Sequence, residues 1–212
     1  MEKNIGNIRK EYSHAQLDLT SISKNPIEQF KIWLEEAIYS QVNEPTAMNL
    51  ATISSQNRPT SRIVLLKEVG ENGFIFFTNY NSEKGKSIAY CPFVAIDFFW
   101  PELERQVRIE GKAEKISTAD SDAYFKSRPI GSQIGAWASS QSSVIETREI
   151  LESNVIKYTT LFKGEINRPP HWGGYLVKPD KIEFWQGRLS RLHDRIVFTK
   201  EDKDWKIERL AP

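Results

Sequence analysis

The chain has 212 residues and a mass of 24.5 kDa, and its 39% hydrophobic and 27% charged residues are the balance of a globular protein with a real core. Its 29 Lys+Arg against 28 Asp+Glu leave a formal net charge of +1, so no global field draws in nucleic acid or an anionic membrane, and any anion site must be local. Cys91 is the only cysteine, which excludes an intrachain disulfide and a cysteine metal cluster.

The first ten residues lack the apolar core of a signal peptide, and no apolar run nears the ~20 residues that span a bilayer. A cytoplasmic protein without membrane or nucleic-acid partners is expected. Residues 1–24 are polar and unpatterned and read as a mobile N-terminal arm, within which Arg9-Lys10-Glu11-Tyr12 combines cations with an aromatic ring. Residues 25–212 read as one domain. A helix opens with Asn25 as N-cap, Pro26 at the first helical position and Glu28 closing a capping box. Phe30, Trp33, Leu34, Ala37 and Ile38 then form an apolar stripe at helical spacing.

From Ala47 the pattern turns to strands: Met48–Ile53, Ser61–Val69, Phe74–Thr78, Val94–Phe99 and Arg105–Ile116. Glu71-Asn72-Gly73 has the chemistry of a hairpin turn, and Ser82 can cap a short helix before Pro92. Residues 118–163 are helical in character. Thr118 or Asp120 opens a segment ending at Arg128, Ser132 caps Gln133–Ala138, and Val144–Phe162 is the longest helix. After a linker at Gly164–Pro170, Tyr175–Val177, Lys181–Trp185, Leu192–Thr199 and Trp205–Arg209 return to strands. The class is β-rich α+β, a closed or split barrel with peripheral helices.

Chemistry concentrates in a few stretches. If Leu192–Thr199 extends back to Arg191, a period of two puts Arg191, His193 and Arg195 on one face, where three neighbouring cations call for an anion or for water. In Arg62-Ile-Val-Leu-Leu-Lys67 the two cations differ in parity, so they meet one ligand only through a bulge or beyond a strand end. Tyr124, Arg128 and Ser132 recur every four residues across Pro129, placing an arginine beside the amino end of a following helix, a phosphate nest. No His, Cys, Asp and Glu residues have metal-ligand spacing, and GxSxG, P-loop and GxGxxG motifs are absent.

These fragments together resemble the pyridoxamine 5′-phosphate oxidase family. The matching stretches are Arg9–Tyr12, Arg62–Lys67, Phe77-Thr-Asn79, Arg105-Gln-Val107, Tyr124–Ser132, Trp137–Ser142, Phe184–Gly187, Arg191-Leu-His-Asp-Arg195 and Trp205–Pro212, in order over nearly the whole chain. The resemblance implies a split β-barrel homodimer with FMN at its interface. It implies an oxidase that turns pyridoxamine 5′-phosphate and pyridoxine 5′-phosphate into pyridoxal 5′-phosphate, with O2 as acceptor. FMN would be held along Arg62, Ile63, Val64, Leu65, Leu66 and Lys67, by Phe77, Thr78, Lys84 and Gln106, and by Gln141, Ser142, Trp185 and Arg195 from the partner chain. The substrate phosphate would meet Lys67, Tyr124, Arg128 and Ser132. Arg191, Leu192 and His193 would hold the pyridine ring, while Arg9, Lys10, Glu11 and Tyr12 close over it. Arg191, His193, Arg9 and Tyr12 are the catalytic set so implied.

Two phosphorylated ligands bring roughly three to four negative charges, enough to offset clustered cations in a chain with almost no net charge. Three departures from the family pattern stand out. Glu83 takes the place of an arginine beside Lys84 and should either point away or be compensated by Lys86. Phe77 replaces a tyrosine, and Arg188-Leu-Ser190 replaces small and acidic residues.

Overall fold

The computed structural model describes residues 11–13 and 15–212, so Arg9 and Lys10 lie outside the described residues. The elements are α1 (Pro26–Tyr39), β1 (Ala47–Ile53), β2 (Pro59–Leu65), β3 (Glu68–Gly70), β4 (Gly73–Asn79), α2 (Glu83–Tyr90), β5 (Phe93–Trp100), β6 (Arg105–Lys115), α3 (Thr118–Ser127), α4 (Ile130–Ala138), α5 (Glu149–Leu161), β7 (Trp172–Gln186), β8 (Asp194–Glu201) and β9 (Asp204–Leu210). Strands hydrogen-bond in the order β2-β1-β5-β6-β7-β4-β3, with β8 added on β7 and β9 on β8. The class is β-rich α+β, as the strand pattern predicts. None of the helices among the described residues is long and apolar enough to cross a membrane.

The chain forms two compact units. The first comprises the residues up to Asn49, Ile96–Glu110 and Pro179–Pro212. Its core is aromatic. Phe30 and Trp33 of α1 meet Phe98 at 4.9 Å and Phe184 at 5.2 Å between ring centroids, and the Arg105 guanidinium lies 4.4 Å over the Trp33 ring. α1 starts where its chemistry predicts, because the Asn25 side chain accepts the N–H groups of Ile27 and Glu28. The capping box does not close: Glu28 pairs with Lys31, and the Asn25 N–H donates to Ser23 Oγ.

The second unit comprises Leu50–Ala95 and Gly111–Lys178. Here β4 pairs with the first half of β7, with Phe77 opposite Gly174, Thr78 opposite Gly173 and Asn79 opposite Trp172. The two glycines permit a close approach. A Cβ at Gly174 would stand 2.9 Å from the Phe77 ring, and one at Gly173 would stand 2.1 Å from the Tyr80 hydroxyl. Phe125, Ile134, Ile166 and Trp172 form a buried cluster beneath α3 and α4.

Four expectations about elements need correction. The Ser61–Val69 run is two strands, β2 and β3, broken at Leu66-Lys67, where the Lys67 N–H donates to Ile75 O at 2.8 Å. α4 begins at Ile130 with Pro129 at its N-cap, so Ser132 lies inside the helix rather than capping it. α5 begins only at Glu149 rather than at Val144, whereas α3 opens at Thr118 as expected, with the Ser117 hydroxyl accepting the Asp120 N–H. β7 is one strand of 15 residues running through Pro179.

The largest departure is at the Arg191 stretch. Leu189–Arg191 forms a single 3-10 turn with φ of 57° at Ser190 and 62° at Arg191, and β8 starts at Asp194. Of the three cations expected on one strand face, only Arg195 belongs to a strand. Two consecutive left-handed non-glycine residues have no glycine signal in the sequence to announce them.

Candidate active site

The second unit contains a pocket of about 470 Å³ walled by β2, β4, the amino end of α2, α3, α4 and the loop after α4. Its residues include Arg62, Ile63, Val64, Leu65, Lys67, Phe77, Thr78, Lys84, Tyr124, Arg128, Ser132 and Gln141, all singled out in the sequence. The break after β2 resolves the parity problem. β2 carries Arg62 and Val64 inward on its pleat and ends at Leu65, and the chain then turns so that Lys67 reaches the same cavity.

Arg62 and Lys84 hydrogen-bond to neutral partners. Arg62 Nη1 donates to Thr52 Oγ1 at 2.7 Å and to Leu50 O at 3.2 Å, and Nη2 donates to Thr60 Oγ1 at 2.8 Å. Lys84 Nζ donates to Gln141 Oε1 at 3.1 Å. Burial pushes both Arg62 and Lys84 below their ordinary pKa values, and for Lys84 the Arg62 charge adds to the push. Glu83 pulls both back up. It is exposed and is not part of the pocket wall, yet its charge reaches both cations.

At the other end of the pocket, Arg128 caps α3 with its carbonyl held by Gln133 Nε2 at 2.8 Å. Its guanidinium lies 4.5 Å over the Trp172 ring, and its Nη1 is buried without a hydrogen-bond partner. Burial lowers the Arg128 pKa and raises that of the Tyr124 phenol, each partly opposed by the attraction between the two. The Tyr124 ring stacks on Phe77 at 3.8 Å, and Phe77 in turn stacks on Trp172 at 5.4 Å. Pro129 leaves α4 without a side-chain cap, so its first-turn N–H groups add positive potential beside Arg128 and Ser132.

Gln141, expected from the partner chain, lies against Lys84 and Thr78 of its own chain. Leu66 is buried and does not line the pocket, and Ser142 is exposed with φ of 69°. Asn79, Gly135, Ala136, Ser139 and Trp172 line the cavity without having been singled out. Of these only Trp172 had a legible signal: an aromatic directly before two glycines, which mark a close approach of rings.

A second set of the expected residues gathers in the first unit. Tyr12, Trp185 and His193 form a ring cluster, with Tyr12 edge-on to Trp185 at 5.8 Å and Trp185 4.5 Å from His193. The Arg188 N–H donates to His193 Nδ1 at 3.1 Å, which makes Nδ1 the acceptor and leaves the proton of a neutral ring on Nε2. Burial and then the Arg191 charge lower the His193 pKa, favouring that neutral form. Arg191 and Leu192 are exposed, as is Glu11. Arg195 Nε donates to Glu183 Oε1 at 2.7 Å, and that buried carboxylate also accepts Arg108 Nη1 at 3.2 Å. Gln106 Nε2 donates to Asp97 Oδ1 at 2.7 Å.

Two anchors hold the N-terminal segment here. Glu104 Oε2 accepts the Ser13 N–H at 2.8 Å, and Asp194 Oδ2 accepts the Leu17 N–H at 3.1 Å. Asp194 also accepts Arg188 Nη1 and Arg209 Nη1, each at 2.8 Å.

The family profile described as pyridoxamine 5′-phosphate oxidase matches residues 34–162, and that described as the pyridoxine 5′-phosphate oxidase C-terminal dimerisation region matches residues 172–212. The chain belongs to the pyridoxamine 5′-phosphate oxidase family. Within that family, it is 57% identical to the pyridoxine/pyridoxamine 5′-phosphate oxidase of Haemophilus influenzae over 97% of this chain and 98% of that one. The corresponding protein of Neisseria meningitidis serogroup C is 54% identical over 99% of this chain and 100% of its own. Among solved structures, PhzG from Burkholderia lata in complex with tetrahydrophenazine-1-carboxylic acid matches with a TM-score of 0.88 at 28% identity, covering 94% of this chain and all of that one. A pyridoxamine 5′-phosphate oxidase-related, FMN-binding protein from Nostoc punctiforme shares the fold, with a TM-score of 0.72 at 19% identity over 90% of this chain and all of that one. The family's fold is the split β-barrel.

Proposed function

We propose that this chain is an FMN-dependent oxidase that converts pyridoxamine 5′-phosphate and pyridoxine 5′-phosphate to pyridoxal 5′-phosphate, reducing O2 to H2O2 and releasing ammonia from the amine. The observation that carries the reading is Arg128. A buried guanidinium nitrogen without a partner is costly, and Arg128 lines a pocket in which Arg62 and Lys84 hydrogen-bond to neutral groups. Such a wall suits phosphorylated ligands.

The residues present fit FMN. Arg62 and Lys84 are desolvated, mutually repelling cations on one side of a cavity of about 470 Å³, beside the amino end of α2. Arg62, Lys84, Thr78 and Gln141 would hold it, with Trp185 and Arg195 completing the site from the partner in a homodimer. When bound, the flavin supplies the two-electron chemistry, accepting the hydride equivalent from the substrate's 4′ carbon and passing the electrons to O2.

The protein's own share is binding and orientation. Lys67, Tyr124, Arg128 and Ser132 take the substrate phosphate, the phenol and the hydroxyl donating alongside the two cations. His193 presents its Nε2–H because the Arg188 backbone occupies Nδ1. Arg191 sits in a left-handed conformation, φ 62°, that costs about 1–2 kcal/mol. Strain of that kind is retained where a side chain must be aimed, and its role here is to hold the pyridine ring. Tyr12, packed against His193, closes over the ligand.

The deciding experiment is anaerobic addition of pyridoxamine 5′-phosphate to FMN-loaded protein while following flavin absorbance near ~450 nm. Bleaching that recovers in air, with pyridoxal 5′-phosphate formed, is the expected result. Loaded flavin that never bleaches would refute the oxidase reading.

A further inference from the structure

Arg128 binds a phosphate at the lowest ordering cost when its guanidinium is already held at the pocket wall, and the side chains around it show what holds it. The Trp172 ring face lies 4.5 Å from the guanidinium carbon, with the Phe125 ring second at 5.6 Å. No hydrogen bond fixes Nη1. Trp172 is itself fixed from behind: Arg168 Nη1 donates to its carbonyl, and Arg168 Nε is held by Asp122 Oδ1 at 2.6 Å. The same ring is parallel to Tyr124 within 2°, and Phe77 stacks on both, at 5.4 Å from Trp172 and 3.8 Å from Tyr124. One indole therefore lies over the cation and shares a stacking partner with the phenol of the anion-binding end.

We propose that Trp172 is the positioning residue of the phosphate subsite, its ring face presetting the Arg128 guanidinium by cation–π contact and aligning Tyr124 through Phe77. A free arginine side chain samples many rotamers, and fixing it at the moment of binding costs affinity. A π face in a desolvated wall holds the cation without neutralising it, whereas a carboxylate in the same place would compete with the phosphate. The indole thus gives order and leaves the charge available. Because Trp172 is also part of the buried cluster with Phe125, Ile134 and Ile166, a purely structural role is the competing account.

This inference rests on the phosphorylated-substrate reading above, so the test reads phosphate directly as well as turnover. FMN-loaded wild type, Trp172→Leu and Trp172→Phe are compared for KM and kcat with pyridoxamine 5′-phosphate, for the Kd of inorganic phosphate, for FMN retention and for thermal midpoint. Loss of the cation–π hold converts to roughly 10–30-fold. Trp172→Leu is expected to raise the substrate KM and the phosphate Kd together by that factor, with kcat within about 3-fold and FMN retained. Trp172→Phe, which keeps a smaller π face, restores most of the loss and leaves a rise of about 3-fold.

A folded leucine variant with unchanged KM and phosphate Kd overturns the proposal. So does a parallel fall in kcat, FMN retention and thermal midpoint without a selective effect on phosphate, the signature of a structural role. Should Trp172→Leu fail to fold, Trp172→Phe decides, and an unchanged phosphate Kd overturns the proposal. Absence of phosphate binding by wild type does the same. A wild type that fails to oxidise the amine yet binds phosphate in a Trp172-dependent way upholds this inference and refutes the oxidase reading instead.

Discussion

Asp194 joins the N-terminal segment to the His193 corner, and its charge is open to a direct test by Asp194→Asn. Its two oxygens accept the Leu17 N–H and one nitrogen each of Arg188 and Arg209. The Asp194 side chain is 15% exposed, Arg188 31% and Arg209 38%. An asparagine keeps the shape but turns an NH2 group toward one of the arginines. Losing the Arg188 pair costs about 1 kcal/mol, and the Arg209 pair, screened by solvent, about 0.5 kcal/mol. The Leu17 N–H bond weakens from charge-assisted to neutral, which brings the total to about 2 kcal/mol.

The sign with pH follows from the carboxyl. Burial alone would raise its pKa, but the Leu17 N–H, Arg188 and Arg209 outweigh burial and hold it below the usual carboxylate value. A depressed folded-state pKa contributes stability above the unfolded value of about 3.9, and that contribution is lost as pH falls through the folded value. Urea unfolding of the two proteins should therefore differ by about 2 kcal/mol at pH 7, stay so to about pH 5, and converge below about pH 4. Equal stability at pH 7, or a difference that persists undiminished at pH 3, would refute the charge-based account.

Arg128→Met removes a guanidinium whose buried Nη1 lacks a hydrogen bond, so the apo protein should keep its urea midpoint within about 1 kcal/mol equivalent, while kcat/KM for the phosphorylated amine falls roughly 10–100-fold. Glu83→Gln relieves Arg62 and Lys84 of an exposed opposing charge and should tighten FMN binding about 2–5-fold at low salt, read from quenching of flavin fluorescence. Gly187→Ala would place a Cβ 2.7 Å from Cβ and Cγ of Tyr12, so it should displace that ring and raise KM several-fold, with the urea midpoint changed by no more than about 1–2 kcal/mol equivalent.

What could be read from the sequence was local chemistry. The Asn25 cap and the Glu71-Asn72 turn lie where short-range rules put them, and most of the residues marked in 62–67, at 124, 128 and 132, and at 141 line one pocket. What could not be read depends on partners distant in sequence. Lys67 reaches the pocket because β4 claims its N–H and interrupts the strand. α5 starts at Glu149 although the apolar spacing runs from Val144, and the exposed residues 144–148 stay outside the helix. Ser190 and Arg191 adopt left-handed backbone that alternation rules would assign to extended chain, so the single strand face expected for Arg191, His193 and Arg195 does not form. The contact between Trp172 and Arg128 could not be read, because the two residues lie 44 positions apart in different elements.

The course of β7 bears on how this chain could be divided. The two family profiles suggest a natural seam between residues 162 and 172, in an irregular stretch where a designer would cut. A fragment beginning at Trp172 would nevertheless carry away six residues, Trp172–Val177, whose ladder partners are Phe74–Asn79 in the piece left behind. It would expose those backbone groups on one fragment and strip β4 of a neighbour on the other. β7 runs as one strand through Pro179, its first half pairing with β4 and its second half with β8. The C-terminal region is thus a sequence module without being a folding module, and two separately expressed fragments should recover a native protein only by reassembling along β4 and β7.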